Sequence, residues 1–495
     1  MKKILALMLA VTMVLCTFVS CKKDNQETGE SDSSTVSLEE GDRLSELGSR
    51  DFEGKTFNVL DANDYPEMHV NYATEETKGL SNITEVLYRR DLSLKEMYNL
   101  DDITYASITN ASTGIDTLRV QILGGNSEYD MVISTATGSA IESVGGTLPS
   151  LAIQGMLRNL DEVNYLSLDK KWWSPLIYEN TLLNGKMFFT TGDIVPSLYQ
   201  APAAMYVNMD LFKQYHSDID IFEVVESGEW TFAKLNELTA DISQDVNEDQ
   251  KMSATDDFFG LAVQRNSLQV QDFVMGAGSK FSTVENNTLS VDLKNQMLGS
   301  ILDNVKRLYP TMTYIYGDNN DQQNVINVTF KTGKAIFLAH HLETAMFHLR
   351  DMEGDYAVIP YPKANAEQTQ YLSNVSNWVD CFVAVPNSVS NERIEFVGFM
   401  MEAMAAYSNK NLRPFIYESV LKYQRLNDEK SSAMIDVIMD GIVIDYAVIY
   451  DLGSLWKICD NVVFKGSSLN MQAAVATNPI REGIETIMEA HGVSQ

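Results

Sequence analysis

Between Thr56 and Ser134 the chain alternates short strand-like runs with longer stretches whose apolar residues recur at helical spacing. Thr56 to Asp61 reads as a strand after Gly54. Ile83, Val86, Leu87, Leu94, Met97 and Tyr98 fall largely on one helical face, and Ile103 to Ile108 reads as a second strand. Ile115, Leu118 and Ile122 mark a second helix that Gly124-Gly125 stops, and Tyr129 to Ser134 is a third strand with an apolar centre. A β-α-β-α-β order implies a parallel sheet with helices on both faces. Ligands of open α/β sheets bind beyond the carboxyl ends of the strands. That places Asp61 and Thr135 at a candidate site, in the polar segments Asp61-Ala62-Asn63-Asp64 and Thr135-Ala136-Thr137. Neither segment carries a glycine-rich phosphate fingerprint, so a nucleotide site is not expected. Later in the chain, Thr231 is a candidate N-cap for a helix carrying Phe232, Leu235 and Leu238. Asn478-Pro479 is predicted to open a terminal helix.

Charge narrows the partners. The 37 Lys and Arg against 68 Asp and Glu give a formal net charge of −31. Phosphate binding needs clustered basic residues, so nucleic acid is not an expected partner. A polybasic attachment to anionic lipid is equally unexpected.

The amino terminus points outward from the cell. Met1-Lys2-Lys3 is basic, Ile4 to Val19 is almost wholly apolar, and the chain turns polar at Lys22. This is the pattern of a secretory signal over residues 1–20. Phe18-Val19-Ser20-Cys21 resembles the bacterial lipobox, although Phe18 stands where Leu is usual; the resemblance implies acylation at Cys21. Residues 21–50 lack aromatic residues and are rich in Ser, Glu and Asp, which predicts a flexible tether. Contact with the membrane is thus expected through the N-terminal lipid only, on the outer face of the cytoplasmic membrane. Of the four cysteines, Cys381 and Cys459 remain for the body and are read as buried small hydrophobes.

Several stretches in order then become specific: Tyr129-Asp130-Met131-Val132-Ile133; Asn184-Gly185-Lys186-Met187-Phe188-Phe189; Met205-Tyr206-Val207-Asn208-Met209-Asp210-Leu211-Phe212; Gly228-Glu229-Trp230-Thr231-Phe232; Phe330-Lys331-Thr332-Gly333-Lys334-Ala335-Ile336-Phe337; Tyr356 to Lys363; and Ala384-Val385-Pro386. Together, from about residue 52 to 450, they resemble the bacterial extracellular solute-binding proteins of the maltose-binding type, the lipoprotein receptors of ABC importers. The resemblance implies an α/β, two-lobed periplasmic-binding-protein-like (type II) clamp with several hinge crossings, near Pro196, Val328 and Asp380. It implies an N-lobe made of 51–196 and 328–380, and a C-lobe made of 197–327 and 381–495. It further implies a monomeric receptor without cofactors that takes a small solute, a sugar or oligosaccharide, to ABC transporter permease subunits.

Sugars need flat apolar faces for their rings, with carboxylates and amides for their hydroxyls. On that ground the crossings and loop ends supply the further candidates: Asp193 and Tyr199 around Pro196, His341 and Glu343 after the Ala335 run, Trp378 and Asp380 before the third crossing, and Tyr450 and Trp456 late in the chain. Trp172, Trp173 and Trp230 are read as structural. Asp245-Val246-Asn247-Glu248-Asp249 with Asp256 is similar to a calcium loop, but Gln250 stands where Gly is needed and Asp256 replaces Glu. His340, His341, Glu343 and His348 lack the His-Glu-x-x-His spacing, so no metal is expected there. Nucleophile-elbow and phosphate-loop signatures are absent, and no enzyme activity is expected. The alternatives are a receptor for another polar solute, such as a peptide, and a glycoside-active enzyme built on a carboxylate pair.

Overall fold

The computed structural model describes residues 43–495 except 67–68, 127, 137–145, 255, 309–321, 424–428 and 494–495. The signal, Cys21 and most of the tether lie outside the described residues. The body begins earlier than the sequence suggests. Arg43–Leu47 forms a short helix, Leu47 is buried, and Arg43 Nε donates to Glu402 Oε1 at 2.8 Å. The tether boundary at residue 50 is corrected accordingly, because Leu44 and Leu47 pack on the core that contains Phe57 and Phe399.

The strands, in chain order, are β1 (Thr56–Asn63), β2 (Asp102–Thr109), β3 (Met131–Thr135), β4 (Ala203–Asn208), β5 (Phe259–Ala262), β6 (Ser282–Glu285), β7 (Thr288–Val291), β8 (Ala335–His341), β9 (Tyr356–Ile359), β10 (Ser373–Asn374), β11 (Cys381–Ala384) and β12 (Ile442–Val443). Two four-stranded sheets dominate. The first has the order β11-β3-β1-β2 and the second β5-β8-β4-β9. In the first, β1 pairs in parallel with β2 and β3, the crossovers being helices Asn82–Tyr98 and Ala111–Leu123. Ser81 caps the first helix in a capping box with Thr84, and Asn110 caps the second. Gly114 lets the second helix lie against β1, since a Cβ there would stand 2.4 Å from that of Ala62.

Strand pairing redraws the two lobes. β8 and β9 both pair antiparallel with β4, so residues 335–359 belong to the second sheet and not to the N-lobe. β11 pairs antiparallel with β3, and Phe396 to Ala405 of helix Ile394–Tyr423 pack on the first sheet's core. Residues 381–405 therefore belong to the first lobe, not the second. The chain crosses at 195–201 and again at Val379–Asp380, but not near Val328, where helix Gln322–Lys331 leads directly into β8. A further crossing runs inside helix Ile394–Tyr423, whose Leu412 and Ile416 pack among Tyr206, Leu338 and Tyr356 of the second sheet.

Thr231 caps helix Phe232–Thr239 by accepting from Lys234 N at 3.3 Å. The terminal helix is longer than the Asn478-Pro479 signal indicates. It runs Leu469–Ala490 from the N-cap Ser468, with Pro479 inside. Proline costs helix interiors a hydrogen bond, but the buried stripe Ala473, Ala476, Ile480, Ile487 continues through it. Among the described residues no helix is long and apolar enough to cross a membrane.

Candidate functional site

The two sheets turn their strand ends toward a buried polar layer. Asp61 lies in the buried second half of β1 and accepts from Asn71 Nδ2 at 3.0 Å. The loop after β1 is folded back by Asn63, whose Nδ2 donates to His69 O at 2.7 Å, so His69 is buried there. Ser134 and Thr135 end β3, and Thr135 faces Cys381 across the antiparallel pair.

From the other sheet comes the end of β8. Tyr206 Oη donates to His341 O at 2.8 Å and accepts from Ala345 N at 3.1 Å, which holds the turn between them. Leu342 N and Glu343 N donate to Pro202 O and Gln200 O of the first crossing, at 2.9 and 3.0 Å. His340, His341 and Glu343 are all buried, and their ligand-type atoms lie within 4.8 Å of one another. His69 Nε2 reaches to 3.8 Å from Glu343 Oε2, so the two lobes meet at this corner.

The two crossings are bonded to each other. Ser197 Oγ donates to Asp380 Oδ1 at 2.9 Å and accepts from Cys381 N at 2.8 Å. Burial pushes the Asp380 carboxyl up to about 7, against the lowering effect of Ser197, Thr191 and Cys381 N. Burial likewise raises Asp61 and Asp193 to about 6. For Glu343, burial would raise the carboxyl, but the imidazoles of His69, His340 and His341 outweigh it and hold it well below its ordinary value. Burial and the neighbouring His341 charge press His340 down to about 3.

What marks this layer is unmet hydrogen-bonding capacity. Asn71 Oδ1, Ser134 Oγ and His69 Nδ1 are buried without a hydrogen-bond partner. A buried polar atom left unmade costs about 1–3 kcal/mol. Such a concentration suits a ligand or water that supplies the missing partners.

The sequence-predicted residues divide into four groups. Asp61, Thr135, His341, Glu343 and Asp380 lie in the polar layer. Asp193 and Tyr199 hydrogen-bond each other and Asp193 also takes Asn409 Nδ2 from helix Ile394–Tyr423, so this pair is a latch between the crossing and the helix. Tyr450 is buried in the core, stacked on Tyr446 at 5.4 Å with an interplanar angle of 5°. As a solvent-facing platform it is corrected, because its ring is covered on folding. Trp378 and Trp456 are 44% and 46% exposed. Asn377 beside Trp378 donates to Ala136 O at 3.0 Å, which sets Trp378 next to the end of β3. Trp456 carries Lys457 Nζ over its ring at 5.0 Å.

His69, Asn71, Ser134 and Thr191 escaped the sequence reading, since each is a lone polar residue in a loop or strand end with no motif around it. Trp172 and Trp173 Nε1 both donate to Glu402, at 3.1 and 2.7 Å, and Trp230 Nε1 donates to Pro360 O at 2.8 Å. These are structural tryptophans. The carboxyl and amide oxygens of Asp245, Asn247 and Asp249 accept from Gln250 N, Asp249 N and Lys251 N, an acidic turn closed on its own backbone. Cys381 and Cys459 are buried and unpaired.

No family model matches the sequence, and no curated protein does. Solved structures do match. One is the cyclic alpha-maltosyl-1,6-maltose binding protein from Arthrobacter globiformis (10% identity, 87% of this chain, 99% of that one, TM-score 0.56). Another is the maltose/maltodextrin-binding domain from Bdellovibrio bacteriovorus bound to maltotriose (14%, 87%, 100%, 0.53). A third is an ABC substrate-binding protein from Listeria monocytogenes in complex with cycloalternan (11%, 89%, 100%, 0.51). The protein has the two-lobed α/β fold of solute-binding proteins, and these structural neighbours are binding proteins rather than enzymes.

Proposed function

We propose that the protein is a lipid-anchored extracellular receptor that captures a carbohydrate-type ligand between its two lobes and delivers it to the permease of an ABC transporter. The observation that carries this reading is the buried polar layer at the meeting of the two sheets, with its unmet donors and acceptors. A hydroxyl-rich solute both donates and accepts at every position, so it matches mixed amide, hydroxyl, imidazole and carboxylate partners. Trp378, half exposed beside the end of β3, offers the flat face that a sugar ring covers. Closure on such a ligand is a population shift driven by contacts made only in the closed state. Two of the similar structures are complexes with maltotriose and with cycloalternan, which supports an oligosaccharide here.

The test is a thermal-shift screen of the purified protein against mono- and oligosaccharides, peptides and other polar solutes, followed by calorimetry on the best binder. Saturable one-to-one binding of a saccharide, with no reducing ends released, is the expected result. Steady release of reducing ends would transfer the protein to the carboxylate-pair enzymes, and binding of peptides alone would replace the ligand class. For the anchor, fatty-acid labelling should mark the wild type and be lost in Cys21→Ala; an unlabelled wild type would overturn it.

A further inference from the structure

We infer that His340, His341 and Glu343, joined by His69 from the facing lobe, form a binding site for a borderline divalent cation of the zinc type. The inference concerns the corner where β8 ends and does not depend on which solute the cleft takes.

Geometry comes first. The candidate ligand atoms of His340, His341 and Glu343 lie within 4.8 Å of one another, and His69 Nε2 stands 3.8 Å from Glu343 Oε2. Bonds of about 2.0–2.1 Å around a tetrahedral cation set neighbouring ligand atoms roughly 3.3 Å apart, so side-chain rotation within the corner closes the shell. The sequence argument against a metal rested on spacing along a helix. These residues are instead assembled at the end of a strand and across two lobes, where that spacing rule does not apply.

The second observation is independent of proximity. The Nδ1 atoms of His69, His340 and His341 are buried without a hydrogen-bond partner. Buried imidazole nitrogens without a protein partner have a lone pair available to a cation. A third feature is an outer shell. His341 Nε2 lies 3.2 Å from Asp272 Oδ2, and Asp272 is itself fixed by Asn374 Nδ2 at 2.8 Å and Gln269 Nε2 at 3.2 Å. A carboxylate behind a histidine orients the ring and raises its basicity toward a metal at the other nitrogen, here Nδ1. Three imidazoles and one carboxylate suit zinc and not magnesium or calcium, which need oxygen shells. Because His69 follows β1 while His340 and His341 end β8 and Glu343 follows it, the cation ties the two lobes together.

The experiment uses the untagged protein stripped with EDTA. Zinc chloride is titrated by calorimetry, and cobalt(II) is added separately to read the coordination number from its visible absorption. One equivalent of zinc should bind, with four-coordinate cobalt bands and a raised melting temperature. His340→Asn and Glu343→Gln should each weaken zinc at least tenfold, as should His69→Ala, a loop variant that leaves β8 intact. Asp272→Asn, a positioning variant, should cost about ten- to a hundredfold and shift the cobalt bands. Circular dichroism of each metal-free variant establishes that it is folded. No zinc uptake by the wild type, or uptake and cobalt spectrum unchanged in the folded variants, overturns the inference. Saccharide binding measured on the stripped protein keeps the two readings apart: it can succeed while zinc fails.

Discussion

Two buried carboxylates, Glu402 and Glu343, sit in the same body with opposite surroundings. Glu402 accepts from both indoles of Trp172 and Trp173, from Arg43 Nε and from Ser167 N. Its partners come from three separate stretches of chain, so it works as a tie for the first lobe. Glu343 stands among the imidazoles of His69, His340 and His341, whose Nδ1 atoms have no hydrogen-bond partner, at a corner where two lobes meet. The comparison separates architecture from function by a physical criterion. A satisfied buried charge stabilises one arrangement, whereas an unsatisfied polar cluster is held by the surrounding fold for something else to complete.

The comparison can be broken at its stronger end first. Glu402→Ala leaves two indole N–H groups and the Arg43 guanidinium without their acceptor, and should cost about 3–5 kcal/mol of stability. Solute affinity of the remaining folded protein should not change, as chemical denaturation and calorimetry on one preparation would show. A small loss of stability would place Glu402 outside the core framework.

Next in size is Trp378→Ala. Its indole is 44% exposed, so folding should survive, while a lost anchor commonly costs ~2 kcal/mol of binding, about thirtyfold. Calorimetry that returns the wild-type affinity removes Trp378 from the site.

A smaller effect is expected from pH. The folded-state pKa of Asp380 is raised to about 7, above its ordinary value of 3.8. Between those values the folded form binds more protons than the unfolded form, so this group's contribution to stability falls as pH rises through that window and is level beyond it. Asp380→Asn should flatten that part of the profile, its benefit relative to wild type growing from pH 4 to pH 7. Urea midpoints for both proteins at several pH values test this; parallel profiles would mean that Asp380 is solvated.

The smallest expected effect is that of Trp456→Ala. Its half-exposed ring carries Lys457, so stability should move by less than about 0.5 kcal/mol. A thirtyfold loss of solute affinity there would extend the site to helix Leu455–Val463.

Local patterns were readable because they obey local physics. The period of Ile83 to Tyr98, the cap at Thr231 and the apolar centre of Tyr129 to Ser134 each name their element without reference to the rest of the chain. Strand partners are another matter. The runs Ala335 to His341 and Cys381 to Ala384 are wholly buried, and nothing in either says which sheet it joins or in which direction. That is why the lobe boundaries near 328 and 381 moved. Pro479 misled because a proline penalty is local, while the apolar stripe that overrides it spans the whole helix. Tyr450 offered a hint in Tyr446, one helical turn earlier, but its burial also needs Phe189 from far away. For the site, Glu343 and His341 were found as polar residues after a strand. His69 was not, because only the folded-back loop after β1 brings it there.

The claim that most needs testing is that the polar layer around Glu343 exists for the solute. The direct measurement is calorimetric titration of wild type and Glu343→Gln with the best saccharide from the screen, with EDTA present so that no cation contributes. The account predicts that affinity falls about thirtyfold or more, a loss of ~2 kcal/mol for one central contact, while the solute-free variant stays folded with a lowered melting temperature, because the carboxylate's attraction to the imidazoles is lost. Equal affinities in two folded proteins would contradict it and would make this corner a packing defect or a metal site alone.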